Sequence, residues 1–232
     1  MVVPIAMDWR HLCFANWPID VADLRPSVPA PLSIDTARGT AWLSIVPFVN
    51  VDLRPAGLPR ALGVDLPEIN LRTYVTYDGV PGVYFLSLDA DGLLPVLGAR
   101  LVHHLPYYLA TIDLAIHHAT ATFESRRRHP GARPAAFRAT YRPAGEPFEA
   151  APGSLAWFLT SRFRYYTEGT DGGLRYADVR HEPWQLFPAE VHIAENTIFA
   201  GNSLPDPAGK PTMLYSPGVT TVASTSKRVP TS

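Results

Sequence analysis

The chain has 232 residues, 47% of them hydrophobic, and a formal net charge of −1, so it can build a core and offers no basic field to nucleic acid or an anionic membrane. Its single cysteine, Cys13, excludes an intrachain disulfide and any CxxC zinc or redox pair, which fits a reducing cytoplasm. Its two lysines, Lys210 and Lys227, lie near the C-terminus, so no lysine nucleophile exists earlier in the chain.

The start, "MVVPIAMDWR", has neither a basic segment nor the long apolar stretch of a secretory signal. No run approaches the roughly 18 apolar residues of a membrane span, and a soluble cytoplasmic protein is expected. "DVADLRPSV" (20–28) predicts a short helical turn, and "GTAWLSIVPFVNVDL" (39–53) is the first strong strand. "NLRTYVTYDGVPGVYFLSLD" (70–89) reads as two strands around a "YDGVPG" turn. The basic run "ESRRRHPGARP" (124–134) reads as a solvated turn between strands, with a phosphate or carboxylate contact as the alternative. "PAAFRATYRP" (134–143) alternates, with Phe137, Ala139 and Tyr141 on one face. In "PGSLAWFLTSRFRYYTEG" (152–169) the spacing predicts a helix capped by Ser154 and stopped by Gly169. "GLRYADVRH" (173–181) and "AEVHIAENTI" (189–198) are further strands. Prolines, 24 in all, break up long helices, so one β-rich domain over residues 1–232 is the simplest organisation.

Neither GxGxxG, GxxxxGK[ST], GxSxG nor HExxH occurs, which leaves nucleotide folds, the serine-hydrolase elbow and zincins unsupported. Two histidine pairs stand out, His103-His104 and His117-His118. Strand neighbours point to opposite faces, so each pair lends at most one ring to a pocket. With Asp113 or Glu124 such rings would make a three-ligand metal site, but the spacing does not demand it, and surface or packed histidines are the simpler reading. "RHEPW" (180–184) is either a corner where Trp184 packs and His181 bonds backbone, or a catalytic His181 beside Glu182, a reading that rests on composition alone. Trp42, Trp157 and Phe158 read as core.

Several stretches carry a shared pattern: "LRPSVPAPLSID", "GTAWLSIVPF", "PEINLRTYV" (67–75), "GVYFLSLDA" (82–90), "GARLVHHLPYYLA" (98–110), "GSLAWFLTSRFRYY", "VRHEPWQL" and "LYSPGV". Together, from Trp9 to Val219, the chain resembles the YqjF-like DUF2071 family, itself similar to the acetoacetate decarboxylase superfamily. The resemblance implies a β-rich α+β single domain with a cone-shaped antiparallel β-barrel, one or two outer helices and a pocket inside the barrel. Members often oligomerise, which leaves a homo-oligomer as an open expectation.

The superfamily's decarboxylases use a Schiff-base lysine in a Pro-Lys-Lys element. Here Pro106 matches the proline, and Tyr107 and Tyr108 stand at the lysine positions. A phenol cannot form an imine, so Schiff-base decarboxylation is disfavoured. Glu68 resembles the superfamily's pocket glutamate. On a strand Glu68, Asn70, Arg72 and Tyr74 share one face, opposite Ile69, Leu71, Thr73 and Val75. Alternation alone favours that polar face outward, whereas the resemblance favours it facing a lumen.

These residues suggest a cofactor-free acid–base enzyme acting on a small oxo-acid or polyketide-like carbonyl compound: a lyase, dehydratase, cyclase or isomerase, with secondary metabolism as a candidate setting. Glu68 would be the base, Arg72 would either hold Glu68 ionised or clamp a substrate carboxylate, and Tyr107 would be the acid or oxyanion donor. Tyr74, Asn70, Tyr84, Ser87, Arg100 and His181 are candidate substrate contacts, although alternation puts Tyr84 and Ser87 on opposite faces of their strand. A binding protein that kept the pocket without the chemistry, and a histidine-based metal enzyme, remain alternatives.

Overall fold

The computed structural model describes residues 3–92 and 104–230. Within them lie strands β1 (Ile5–Ile19), β2 (Ser33–Ile34), β3 (Ala41–Pro55), β4 (Val64–Tyr77), β5 (Val80–Ala90), β6 (Tyr107–His117) and β7 (Thr120–Arg127). They continue with β8 (Ala136–Pro143), β9 (Arg164–Glu168), β10 (Leu174–His181), β11 (Phe187–Asn196), β12 (Thr212–Ala223) and β13 (Lys227–Arg228). The helices are short: α1 (Val21–Leu24), α2 (Leu155–Thr160) and α3 (Ile198–Gly201). None of the described helices is long and apolar enough to cross a membrane.

All the described strands join one sheet, in the order β13-β10-β9-β5-β6-β7-β8-β11-β12-β1-β3-β4-β2. Extra pairings, β4 with β5 and β10 with β12, close this order on itself. One circuit runs β5-β6-β7-β8-β11-β12-β1-β3-β4 and returns to β5. A smaller one runs β5-β9-β10-β12-β1-β3-β4 and also returns to β5. Closure satisfies backbone groups that an open edge would leave unpaired. The ladders are antiparallel with two exceptions: β5 lies parallel to β6 and to β9. The expectation of a purely antiparallel sheet is corrected to that extent: Tyr107 of β6 pairs beside Leu88 near the end of β5, and Tyr165 of β9 beside Val83 near its start.

The β4–β5 hairpin turns at Asp78-Gly79, both at positive φ (48° and 73°), as a two-residue hairpin turn requires. Phe137, Ala139 and Tyr141 of β8 are each 1% exposed, as their alternation predicts. The long helix does not form. Ser154 caps α2, its Oγ accepting from the Trp157 amide at 3.1 Å, but α2 ends at Thr160 and residues 164–168 form β9. Arg-Tyr-Tyr-Thr suits a strand with partners on both sides, β10 and β5. The freed carbonyls at the end of α2 are captured: Trp184 Nε1 donates to Thr160 O at 2.9 Å, and Tyr74 Oη donates to Leu159 O at 2.8 Å.

The β1, β3 and β4 strands are buried on both faces. Ala15, Leu43, Ile45, Ile69, Leu71 and Val75 join a core shared with Ile112, Phe123 and Phe137 of the larger circuit. Their other faces look into a cavity lined from the strands of the smaller circuit. The basic run is only partly a solvated turn. Arg126 is exposed, but Arg127 forms a bidentate pair with Asp89 of β5, Nε–Oδ1 2.7 Å and Nη2–Oδ2 2.9 Å, with both side chains 2% exposed. That is the carboxylate contact, made within the chain.

Candidate active site

The cavity measures about 380 Å³. Alternation on β4 sends Glu68, Asn70 and Arg72 into it and packs Ile69 and Leu71 into the core behind. The polar face of β4 therefore lines the interior, and the outward reading is overturned. Tyr107 enters the same cavity from β6, and His181 from the end of β10.

Tyr107 Oη donates to Glu68 Oε2 at 2.8 Å. Asn50, on β3, donates its Nδ2 to the same oxygen at 3.2 Å. The Asn50 amide is held in that sense because its Oδ1 accepts from Trp9 Nε1 at 3.0 Å. Glu68 is 3% exposed. Burial pushes its carboxyl up to about 7, and the nearby Asp89 charge adds to the rise. Hydrogen bonds from Tyr107, Asn50 and Asn70 pull the other way and only partly offset it. Burial and the facing Glu68 charge hold the Tyr107 phenol well above its ordinary value, so it is a neutral donor at physiological pH.

Arg72 does not hold Glu68 ionised. Its guanidinium donates Nη2 to Leu159 O at 3.1 Å and lies 5.5 Å from the Phe14 ring and 6.0 Å from the Tyr74 ring. Its Nε is buried without a hydrogen-bond partner, as is Asn70 Oδ1. Among the described residues Arg72 has no carboxylate ion pair, unlike Arg162, paired with Asp35 at 2.7 Å, and Arg164, paired with Asp178 at 2.7 Å. A guanidinium facing a cavity in that state is ready to take an anionic group.

The structure bears out the packing reading of the "RHEPW" corner. Trp184 packs at 5% exposure, and His181 Nδ1 bonds Glu182 O at 2.7 Å. His181 also faces the cavity, 4.8 Å centroid to centroid from Trp184 and 6.1 Å from Trp9. Burial, aided by Arg72, lowers its pKa and favours the neutral ring.

Three candidates are not in the cavity lining. Tyr74 is fully buried beside it, sharing a 2.6 Å hydrogen bond with Ser44 Oγ and supporting Arg72 and Arg162 with its ring. Tyr84 and Ser87 were expected on opposite faces, but a bulge intervenes. Leu71 pairs with Ser87 and Arg72 with Phe85, so Leu86 is an extra residue in β5. The bulge resets the alternation, and Val83, Phe85 and Leu88 line the cavity instead. Arg100 and His103 lie outside the described residues. Tyr108 points away from the cavity, its ring centroid 4.0 Å from Arg127 Cζ. His117 and His118 end the β6–β7 hairpin, exposed, and no described residues group three or more His, Cys, Asp or Glu in reach of one metal ion.

The sequence reasoning missed Asn50, Trp9, Phe14 and Phe48. The available signal for Asn50 was a lone amide inside the apolar run "SIVPFVNV". Neither lysine lines the cavity; Lys210 and Lys227 are both exposed.

The fold is that of the acetoacetate decarboxylase-like proteins. The enduracididine biosynthesis enzyme MppR, solved with pyruvate, superposes with a TM-score of 0.70 at 10% identity, covering 98% of this chain and 91% of that one. Acetoacetate decarboxylase from Legionella pneumophila subsp. pneumophila str. Philadelphia 1 gives 0.65 at 14% identity, over 98% and 87%. An acetoacetate decarboxylase-like enzyme from Sphingomonas wittichii RW1 gives 0.67 at 15% identity, over 99% and 94%. Within that fold the chain belongs to the DUF2071 family, an uncharacterized conserved protein whose family model matches residues 6–220. The uncharacterized protein YqjF of Bacillus subtilis (strain 168) is 44% identical over 208 residues, 89% of this chain and 85% of that protein.

Proposed function

We propose that the chain is a cofactor-free enzyme that moves a proton on the carbon beside a ketone, in an oxo-acid or polyketide-like substrate, without a Schiff base. The observation that carries this reading is the 2.8 Å hydrogen bond from Tyr107 to the buried Glu68, in a cavity that contains Arg72 and no lysine. The smaller strand circuit is, on this reading, the cone-shaped barrel, and the cavity is its interior.

In the ionised state Glu68 takes the proton from the carbon next to the carbonyl. The new Glu68 hydroxyl donates back to Tyr107 Oη. This releases the phenol proton to hydrogen-bond the enolate oxygen as charge develops there. The carbon proton ends on Glu68, and the electron pair of the broken C–H bond ends in the enolate. Dehydration, cyclisation, isomerisation and retro-aldol cleavage can all pass through such an enolate. That MppR has been solved with pyruvate, and with a condensation product of pyruvate and imidazole 4-carboxaldehyde, supports carbonyl chemistry in this fold class.

The test is solvent deuterium exchange into the carbon beside the ketone, followed by NMR. Exchange is expected to rise about tenfold per pH unit until it levels near the Glu68 value of about 7, because the base must be ionised. Glu68→Gln should lower it by about 10²–10⁴, the usual contribution of a general base. Tyr107→Phe removes a hydrogen bond that lowers the Glu68 pKa, so the inflection should move to higher pH. No exchange with any carbonyl compound, or equal exchange in Glu68→Gln, would overturn the enzyme reading and leave a binding protein.

A further inference from the structure

The polar face of β4 has two separate ends. At one, Glu68 is surrounded by Tyr107, Asn50 and Asn70, with Asp89 acting on it. At the other, Arg72 reaches Leu159 O, Phe14 and Tyr74, and its charge acts on His181. Arg72 lies four positions along the strand from Glu68, about 13 Å between Cα atoms. Tyr74 lies beyond Arg72 from Glu68, so a guanidinium near that ring leans away from the carboxylate. Between the ends, Asn70 is 5% exposed and its Oδ1 lacks a partner.

Thr160, Arg162, Arg164 and His181 also reach the cavity, but both arginines are already paired, with Asp35 and Asp178. Much of the remaining wall is apolar, Trp9, Phe48, Val83, Phe85 and Trp184 among others. Trp9 and Trp184 stack with centroids 6.0 Å apart and planes 6° from parallel. A cavity of about 150 Å³ already holds a benzene ring. This one, at about 380 Å³, has room for considerably more than a three-carbon acid. In a 2-oxo acid the carboxylate adjoins the ketone, and such a molecule cannot reach both ends at once.

We propose that the ligand of this cavity is an oxo-acid whose ketone and carboxylate are separated by several apolar carbons. The ketone sits at the Glu68–Tyr107 pair, the carboxylate at Arg72, and the carbon skeleton lies along the Trp9–Trp184 wall. The inference deepens the proposed function and rests on its assignment of Glu68 and Tyr107 to the ketone.

Two eight-carbon isomers separate the possibilities, since they carry the same groups and differ only in spacing. Calorimetric titration of the intact protein at pH 8 would use 7-oxooctanoate and 2-oxooctanoate, with 2-octanone and pyruvate as references. The 7-oxo isomer is expected to bind at least about tenfold more tightly than the 2-oxo isomer, the scale of one charge-assisted hydrogen bond. Both should exceed pyruvate, by about fourfold for each methylene taken out of water. Arg72→Gln should bring 7-oxooctanoate down to the level of 2-octanone and leave 2-octanone unchanged.

Equal or tighter binding of the 2-oxo isomer overturns the inference, and so does an isomer preference that survives in Arg72→Gln. The isomer comparison needs no variant, so a misfolded Arg72→Gln leaves the inference testable. Failure of the enzyme reading would look different: the binding order would stand, but 7-oxooctanoate would take up no deuterium beside its ketone.

Discussion

Replacing Glu68 with glutamine is expected to give a protein that is more stable at pH 8 and catalytically dead. The folded protein holds the Glu68 carboxyl at about 7, against an ordinary value of 4.5. Between those values the folded state keeps a proton that the unfolded chain has released. Stability from this group is therefore fully present below pH 4.5 and is lost as pH rises through 7. At pH 8 the buried charge costs up to on the order of 3 kcal/mol, since each pKa unit is worth about 1.4 kcal/mol. Glutamine fills the same space and its carbonyl still accepts from Tyr107, but it carries no charge. Thermal denaturation at pH 4 and pH 8 tests this. The variant should match the parent at pH 4 and exceed it by about 6–12 °C at pH 8, at roughly 2–4 °C per kcal/mol for a chain of this size. A variant no more stable than the parent at pH 8 would mean that the carboxylate is not strained by burial, and the basis for its role as a tuned base would go.

The second large effect is expected at Asp89. Its carboxylate and Arg127 form a bidentate pair that is 2% exposed on both sides, joining β5 to β7 across β6. Asp89→Ala leaves a buried guanidinium whose remaining contacts among the described residues include the Tyr108 ring at 4.0 Å and the Gly201 carbonyl at 3.4 Å. Removing one partner of such a pair costs about 3–5 kcal/mol, whereas replacing both with apolar residues of similar volume is often close to neutral. Asp89→Ala should therefore lower the melting temperature by about 10 °C or more. The double change Asp89→Leu with Arg127→Met should recover much of that loss. A double variant no better than the single one would refute the stranded-charge explanation. Asp89 also pushes the Glu68 carboxyl upward, so its removal should shift the pH profile of proton exchange to lower pH.

What could be read from the sequence follows the range of the interaction that decides each feature. The β4–β5 hairpin was legible because Asp78-Gly79 specifies its turn locally. The buried face of β8 was legible because Phe137, Ala139 and Tyr141 alternate without interruption. The grouping of Glu68, Asn70 and Arg72 on one face came from the same rule, but which side was inside came only from the family resemblance. β1 escaped notice because both its faces are buried and it carries an extra residue between Arg10 and Ala15, where His11 takes φ 55°. Alternation has nothing to report in such a strand. Tyr84 and Ser87 were misjudged because one bulge residue, Leu86, resets the parity of β5. The helix at 154–169 was overextended because its period of apolar residues continues into β9, where pairing with β5 and β10 overrides helical preference. Asn50 and Trp9 could not be joined to Glu68 at all, since their contacts span tens of residues and depend on strand order.

The double burial of β4 has an evolutionary meaning. Positions 68, 70 and 72 face the cavity, while 69, 71 and 75 hold the main core together. Two sets of demands are interleaved along one strand, the even positions shaping the cavity and the odd ones packing the core. Ligand preference can drift at the even positions while the odd ones conserve the architecture. A lineage could in this way change what the cavity accepts through a handful of inward-facing letters.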